Sequence, residues 1–311
     1  MASVAQGSVP RQPVSEAHRA AARMEAFVAW ALAGPAFFLL ILLLLGPTVA
    51  VVVMSLTDWL FGATSFNWIG LENFAAIFGD RSFWRSLRNT FVYVGIVTPL
   101  SVGIGLGVAL LIEAGTSLRS FYRAAYFLPV ASTLIAMSIV WEFLLHPTVG
   151  AVNVMARALG FSGTHWLQNP DTVLPALALI GTWQAIGLNM VLFLAGLKSI
   201  PRDLYDAAAI DGVDSAWERF RRVTWPMLGP ASMFVVLITA IRSFQIFDSV
   251  QVLTQGGPAG ASEVLLFSIY REAFSYLRAA HAAALTVIFL AIVVTLTLVQ
   301  ARVMDRRVHY G

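Results

Sequence analysis

Arg242, Gln245 and Asp248 stand in or at the end of a run that is otherwise apolar. Gln184 and Asn189 interrupt a second such run, and Glu142 closes a third. Charged and amide side chains are expensive in hydrocarbon, so within a membrane they face a cavity or one another. Around an ideal helix, Gln245 and Ser249 lie within about 60° of Arg242, with Asp248 somewhat further round. Two readings follow. The set can hydrogen-bond a hydroxylated solute along a pathway, or Arg242 can pair with Asp248 or Glu142 and hold a helix bundle together. Catalysis has no comparable candidate. There is no nucleophile–base constellation, no G-x-x-x-x-G-K-S/T loop to cradle ATP phosphates, and no cysteine. The five histidines are scattered without metal-ligand spacing. No directly bound cofactor is expected.

The elements that carry these residues are long and apolar. The chain is 58% hydrophobic and 12% charged, with a mean hydropathy of +0.76; a soluble domain carries about a quarter charged residues. Charge-free runs cover Ala26–Thr57, Asn89–Ile112, Ala124–Trp141, Thr172–Leu197, Val223–Ile241 and Ala279–Ala301. A helix crossing the hydrocarbon core needs about 20 apolar residues. The runs predict an all-α, polytopic fold with six transmembrane helices over residues 26–311. The third helix should extend to Leu145. The fifth should start after Pro230 and run past Arg242 to about Val250. The first run is too long for a signal-peptide core, so it is expected to be retained, behind a flexible tail over residues 1–25. Gly103, Gly105 and Gly107 in the second run suit close helix contact, with Gly103–Gly107 forming a G-x-x-x-G.

Arginine and lysine set the orientation. With six spans, both termini and the loops after spans two and four share a side. That side holds Arg119, Arg123, Lys198, Arg202, Arg219, Arg221 and Arg222, besides basic residues at both ends of the chain. Arg81, Arg85, Arg88, Arg157, Arg271 and Arg278 fall opposite. The excess marks the first side as cytoplasmic, termini included. The net charge of +3 is small, so no nucleic-acid partner is expected.

The loop over residues 199–227 has its own grammar. Ser199-Ile-Pro201 reads as a helix start, with a capping hydroxyl and a first-turn proline. Asp203 and Asp206 suit the positive end of the helix dipole. Ala207, Ala208 and Ala209 keep the surface slim, and Asp211-Gly212 ends the helix, with glycine free to turn left-handed. Ser215-Ala-Trp-Glu218 has the spacing of a capping box for a second helix. Trp217 and Phe220 share a face of it, and Pro226 and Pro230 turn the chain into span five. Two short helices with small residues outward make a convex knob that fits a cleft on a soluble partner. An amphipathic linker lying at the membrane surface is the plainer reading.

Asp206-Ala-Ala-Ala-Ile-Asp-Gly212, followed by Trp217, Phe220, Val223 and Pro226, resembles the EAA loop of ABC-importer permeases. Asp206 stands where glutamate is usual and Trp225 where leucine is usual, and the Gly212-to-Val223 spacing is one residue longer than the common form. Phe244-Gln-Ile-Phe-Asp248, Leu253-Thr-Gln-Gly-Gly-Pro258, Ile269-Tyr-Arg-Glu-Ala-Phe274, Asp58-Trp59 and Gly70-Leu-Glu-Asn-Phe74 resemble the carbohydrate-uptake branch, the maltose-type and glycerol-3-phosphate-type permeases. The resemblance spans residues 30–310. It implies a non-catalytic subunit of a bacterial inner-membrane importer, forming half of a pathway for an oligosaccharide, monosaccharide or glycerol-3-phosphate. It implies Asp206, Ala207, Ala208, Asp211, Gly212 and Pro226 as ATPase-coupling residues. The implied partners are a second homologous permease, a dimeric ATPase that uses the ATP and Mg, an extracytoplasmic solute-binding protein and membrane lipid. Gly256-Gly-Pro258 reads as an external turn, either a plain connection or a contact for the binding protein. An ion-coupled secondary transporter would call for inverted repeats and paired acidic residues at mid-membrane, and the sequence has neither.

Overall fold

In hydrocarbon every backbone N–H and C=O must find its partner within the segment, so long apolar runs fold as helices. The computed structural model describes residues 16–115 and 117–307, and among them there are helices and no strands, with one isolated bridge between Thr57 and Trp68. The chain divides into two units, residues 1–53 and 54–311. In the first, α1 (Glu16–Leu40) passes through a π-helical turn at Ile41–Leu45 into α2 (Gly46–Met54). Helix α1 begins at Glu16, inside the stretch expected as a flexible tail. Strong helix formers such as Ala20, Ala21 and Ala22 carry the helix back from the apolar run. Residues 1–15 lie outside the described residues.

The second unit runs through α3 (Glu72–Gly79), α4 (Arg81–Ala114), α5 (Arg119–Ala131), α6 (Leu134–Leu144), α7 (Ala151–Ala158) and α8 (Val173–Lys198). Two short helices follow, α9 (Arg202–Ile210) and α10 (Ala216–Arg219). A π-helical turn at Phe220–Thr224 leads into α11 (Trp225–Met227) and α12 (Gly229–Phe244). The chain closes with α13 (Asp248–Leu253), α14 (Leu265–Tyr270), a π-helical turn at Arg271–Ser275 and α15 (Ala279–Arg307). Phe27–Met54, Arg81–Ala114, Val173–Lys198, Gly229–Leu253 and Ala279–Arg302 are long and apolar enough to cross a membrane. The pair α5 and α6 makes a sixth span if taken together.

Two spans expected as continuous helices are broken. Between α5 and α6 the axis bends by 100°. Ser132 and Thr133 at the break are extended, with ψ of 146° and 135°, and Pro129 in the preceding turn removes a backbone donor. The fifth run stops being helical after Phe244 and resumes at Asp248. The expected angular relation of Arg242, Gln245 and Asp248 around one helix therefore does not hold, because Gln245–Phe247 are not helical.

Helices α4 and α8 form the centre of the unit, with α5 and α12 packed against them. Two apolar clusters hold this contact. Tyr93 and Val97 meet Leu174, Leu177, Ile246 and Val250, while Val108 and Ile112 meet Met190, Phe193, Leu197 and Leu228. The close approach depends on Gly105, where an added Cβ would lie 2.7 Å from the Asn189 Cβ. Gly103 and Gly107, expected at the contact, have nothing within 4 Å of an added Cβ. The middle glycine of the three makes the crossing, and the outer two face away from it.

The connection after α13 is fastened to α4. The Asn89 Nδ2 donates to the Ala261 and Glu263 carbonyls at 3.1 and 2.9 Å. Arg85 Nη1 donates to the Ala259 carbonyl at 3.0 Å. Buried Glu263 accepts from the Ser268 hydroxyl at 2.8 Å and pairs with Arg271. The Gly256–Pro258 turn is thus the tip of a pinned loop, with Gly256 at φ +82°.

Candidate functional site

The break in the fifth span and the bend in the third open onto the same cavity, of about 440 Å³. Val130 and Leu134 border it from either side of the α5–α6 bend, and Tyr93 and Val97 from α4. Gln184 and Asn189 reach it from α8, Thr239 and Arg242 from α12, Gln245 and Phe247 from the break, and Asp248 from the start of α13. Its size is within the range of about 300–1,000 Å³ that holds small ligands.

Of the residues singled out from the sequence, Gln184, Asn189, Arg242, Gln245 and Asp248 border this cavity, and they divide in two. Asn189 is buried, and both ends of its amide are engaged. Its Nδ2 donates to Ser101 Oγ at 3.2 Å and its Oδ1 accepts from Thr239 Oγ1 at 2.8 Å. It ties α4, α8 and α12 together. Gln184, Arg242, Gln245 and Asp248 are different. Among the described residues their side chains make no hydrogen bond or ion pair within the chain. The alternative pairing of Arg242 with Asp248 or Glu142 is not made among the described residues. Glu142 does not border the cavity.

A free guanidinium, a free carboxylate and two free amides around one space can donate to and accept from a polyhydroxylated guest. Phe247 adds an apolar face beside them. Thr239 escaped the sequence reading. It lies three residues before Arg242 and so on the same face of the helix, and that spacing was the signal available. Among the described residues no cluster of three acidic or histidine side chains could hold a metal ion.

The 199–227 loop folds as two short helices with differences in detail. Gly212 takes φ +79°, the left-handed conformation its position calls for. Ser215 Oγ accepts from Glu218 N at 3.1 Å, which makes it the cap of α10. The Trp217 and Phe220 rings stack with centroids 5.7 Å apart. Ser199 does not cap α9. Its hydroxyl donates backward to the Gly196 carbonyl at 2.8 Å and finishes α8, leaving Pro201 at the cap position of α9. Ala208 does not face outward as expected. It is buried beside Val213, whose N–H donates to the Ala208 carbonyl at 2.9 Å. Tyr205, three residues earlier on the same face, reaches Thr224 Oγ1 at 3.1 Å. Asp206, Ala207, Asp211, Gly212 and Pro226 are all exposed.

A bundle with a polar cavity walled by broken helices is a solute pathway in form, and the whole chain now has a family to match. Residues 74–310 match the family of binding-protein-dependent transport system inner membrane components. The chain belongs to that family. It is an ABC-importer permease and a multi-pass membrane protein. It is 32% identical over 252 residues to the sn-glycerol-3-phosphate transport system permease protein UgpA of Agrobacterium fabrum (strain C58), covering 81% of this chain and 85% of the relative. It is 32% identical over 279 residues to the probable starch degradation products transport system permease protein AmyD of Thermoanaerobacterium thermosulfurigenes, covering 89% and 94%. A solved bacterial ABC transporter involved in the import of the acidic polysaccharide alginate contains a chain of the same fold. The TM-score is 0.80 at 21% identity, over 91% of this permease and 96% of that chain.

Proposed function

We propose that this permease forms half of the translocation pathway for a sugar or sugar-like solute, an oligosaccharide, monosaccharide or glycerol-3-phosphate. The other half comes from a second, homologous permease. The observation that carries this reading is the convergence of Gln184, Arg242, Gln245 and Asp248, all without side-chain partners among the described residues, on one cavity between broken spans. The relatives' names, for glycerol-3-phosphate and starch degradation products, support a solute of the carbohydrate or polyol-phosphate class. An extracytoplasmic binding protein delivers the solute. ATP and Mg are used by a separate dimeric ATPase, and this chain performs no chemistry.

The ATPase docks on the α9–α10 knob, with Asp206, Ala207, Asp211, Gly212 and Pro226 exposed to it and Ala208 supporting the knob from inside. The excess of arginine and lysine on that side supports cytoplasmic termini and a cytoplasmic knob in a bacterial inner membrane.

The test is Arg242→Ala in the assembled transporter. Uptake should fall while assembly and basal ATP hydrolysis stay intact, because the side chain it removes holds nothing else in place. Uptake at the unsubstituted rate would exclude Arg242 from the pathway.

A further inference from the structure

A second space lies outside the solute cavity. A groove of about 970 Å³ runs along the last three turns of α4, from Gly103 to Ala114. Its other wall is Leu197 at the end of α8, Tyr205 of α9, and Trp217, Arg219 and Phe220 of the second short helix and the turn after it. The body of the groove is apolar, lined by Leu106, Leu110 and Leu111. Gly103 and Gly107 deepen it, because a Cβ on either would meet nothing within 4 Å.

Its mouth is charged. Glu113 lies one residue from the end of the spanning helix α4, so the mouth is at the membrane boundary. Glu113 borders the groove, and its Oε2, closed to solvent in this rotamer, has no hydrogen-bond partner among the described residues, a state that costs more than a made bond contributes. Arg119 is close in sequence but donates to the Glu113 and Gly115 carbonyls, not to the carboxylate. On the facing wall, Arg219 donates only to the Asp214 carbonyl, at 3.3 Å, and among the described residues it makes no ion pair.

We propose that this groove binds an aminophospholipid, phosphatidylethanolamine in chemical class. One acyl chain lies along the Gly103–Leu110 body, the phosphate meets Arg219, and the Glu113 side chain turns so that its carboxylate accepts from the primary ammonium. The charge pattern selects this guest. A purely anionic lipid would set its headgroup against the Glu113 carboxylate. A choline headgroup carries the positive charge but no N–H to satisfy Oε2. A helix from another subunit would fill the apolar body, but would have to bring both an acid and a base to the one mouth. The exposed Trp217 ring suits this depth, since tryptophan prefers the boundary between hydrocarbon and water. The inference does not depend on the solute or on the direction of transport.

The full chain, purified with its co-expressed partners in mild detergent, is titrated with phosphatidylethanolamine, phosphatidylcholine and phosphatidylglycerol of matched acyl chains, and bound lipid is read by native mass spectrometry. Ethanolamine lipid should be retained about tenfold more than choline lipid, the effect of one charge-assisted hydrogen bond. Glu113→Gln should reduce that preference to within about twofold, while Arg219→Gln weakens both lipids alike. Gly107→Leu should expel both. The open space at Gly107 and leucine's better helix propensity let that variant fold. Equal retention of all three lipids by the unsubstituted protein, preference for the glycerol lipid, or undiminished binding in Gly107→Leu would each overturn the proposal. So would a disulfide from Gly107→Cys to a cysteine placed on a neighbouring permease.

Discussion

Asn189 offers a measurable divide between holding the bundle and touching the solute, and Asn189→Ala should act on the first. The substitution removes two interhelical hydrogen bonds, to Ser101 at 3.2 Å and from Thr239 at 2.8 Å. Such bonds average about 0.6 kcal/mol each in a membrane protein, so their loss costs about 1.2 kcal/mol. Ser101 keeps its bond to the Val97 carbonyl at 2.6 Å. Thr239 Oγ1 loses its hydrogen bond to Asn189, and at 3% exposure it reaches little of the water in the cavity it borders. An orphaned buried hydroxyl adds about 1–3 kcal/mol. The total is about 2–4 kcal/mol, readable by reversible unfolding in mixed detergent micelles. A cycle with Thr239→Val sharpens the test. The double variant leaves no orphan at residue 239, so it should be less destabilised than the sum of the singles by about 1 kcal/mol or more. A cost under about 0.5 kcal/mol with strict additivity would refute the tie between helices. Lost uptake at unchanged stability would make Asn189 a solute contact instead.

Gly105→Leu should prevent stable folding, because its Cβ alone arrives 2.7 Å from Asn189, whereas Gly103→Leu should melt like the unsubstituted protein; thermal unfolding of both checks this. Gly212→Val forces a β-branched residue to φ +79°, at a cost of about 1–2 kcal/mol. It should lower solute-stimulated ATP hydrolysis by the assembled transporter without changing solute capture by the binding protein. Glu263→Gln removes one charge from a pair whose acid is 3% and whose base is 27% exposed. Discounted for that partial exposure, the cost should be about 1–3 kcal/mol, seen as faster hydrogen exchange over residues 254–263.

What could be read from the chain alone was whatever is local and additive. Apolarity sums along a run, so the spans from Arg81 to Ala114 and from Val173 to Lys198 were visible from composition. The Gly212 turn and the Ser215 cap were visible because each motif closes within a few residues. The break after Phe244 was not, since no charge or proline marks Gln245–Phe247 and only packing against neighbouring helices decides that the ladder stops. The same limit hid which of Gly103, Gly105 and Gly107 meets a neighbour. Ala208 was misassigned because a slim helix has no polar stripe on its inner side to reveal which alanine turns inward. The membership of the cavity was legible because polar residues are rare in apolar runs. Its division was not. Asn189 and Gln184 look alike in sequence, and only the positions of Ser101 and Thr239 show that one amide is engaged and the other is free.

The bend in the third span has a mechanical meaning. Its two halves lean on different neighbours, α5 on α8 and α6 mainly on α13, although Trp141 of α6 also meets Trp183 of α8 with ring centroids 5.5 Å apart. Helix α5 lies so close on α8 that a Cβ at Gly187 would come within 2.2 Å of the Tyr126 carbonyl, while α6 packs against α13. If α6 and α13 tilt together against α5 and α8, the contacts of Trp141 with Trp183 and of Val250 with Leu177 must shift, but no helical hydrogen bond is given up. The displacement is taken up by backbone torsion at Ser132 and Thr133, residues already outside the ladder. Val130 and Leu134 stand on opposite sides of that joint and both border the cavity. A rotation of a few bonds at a two-residue universal joint therefore changes the width of the passage directly, with the rigid helices acting as its levers.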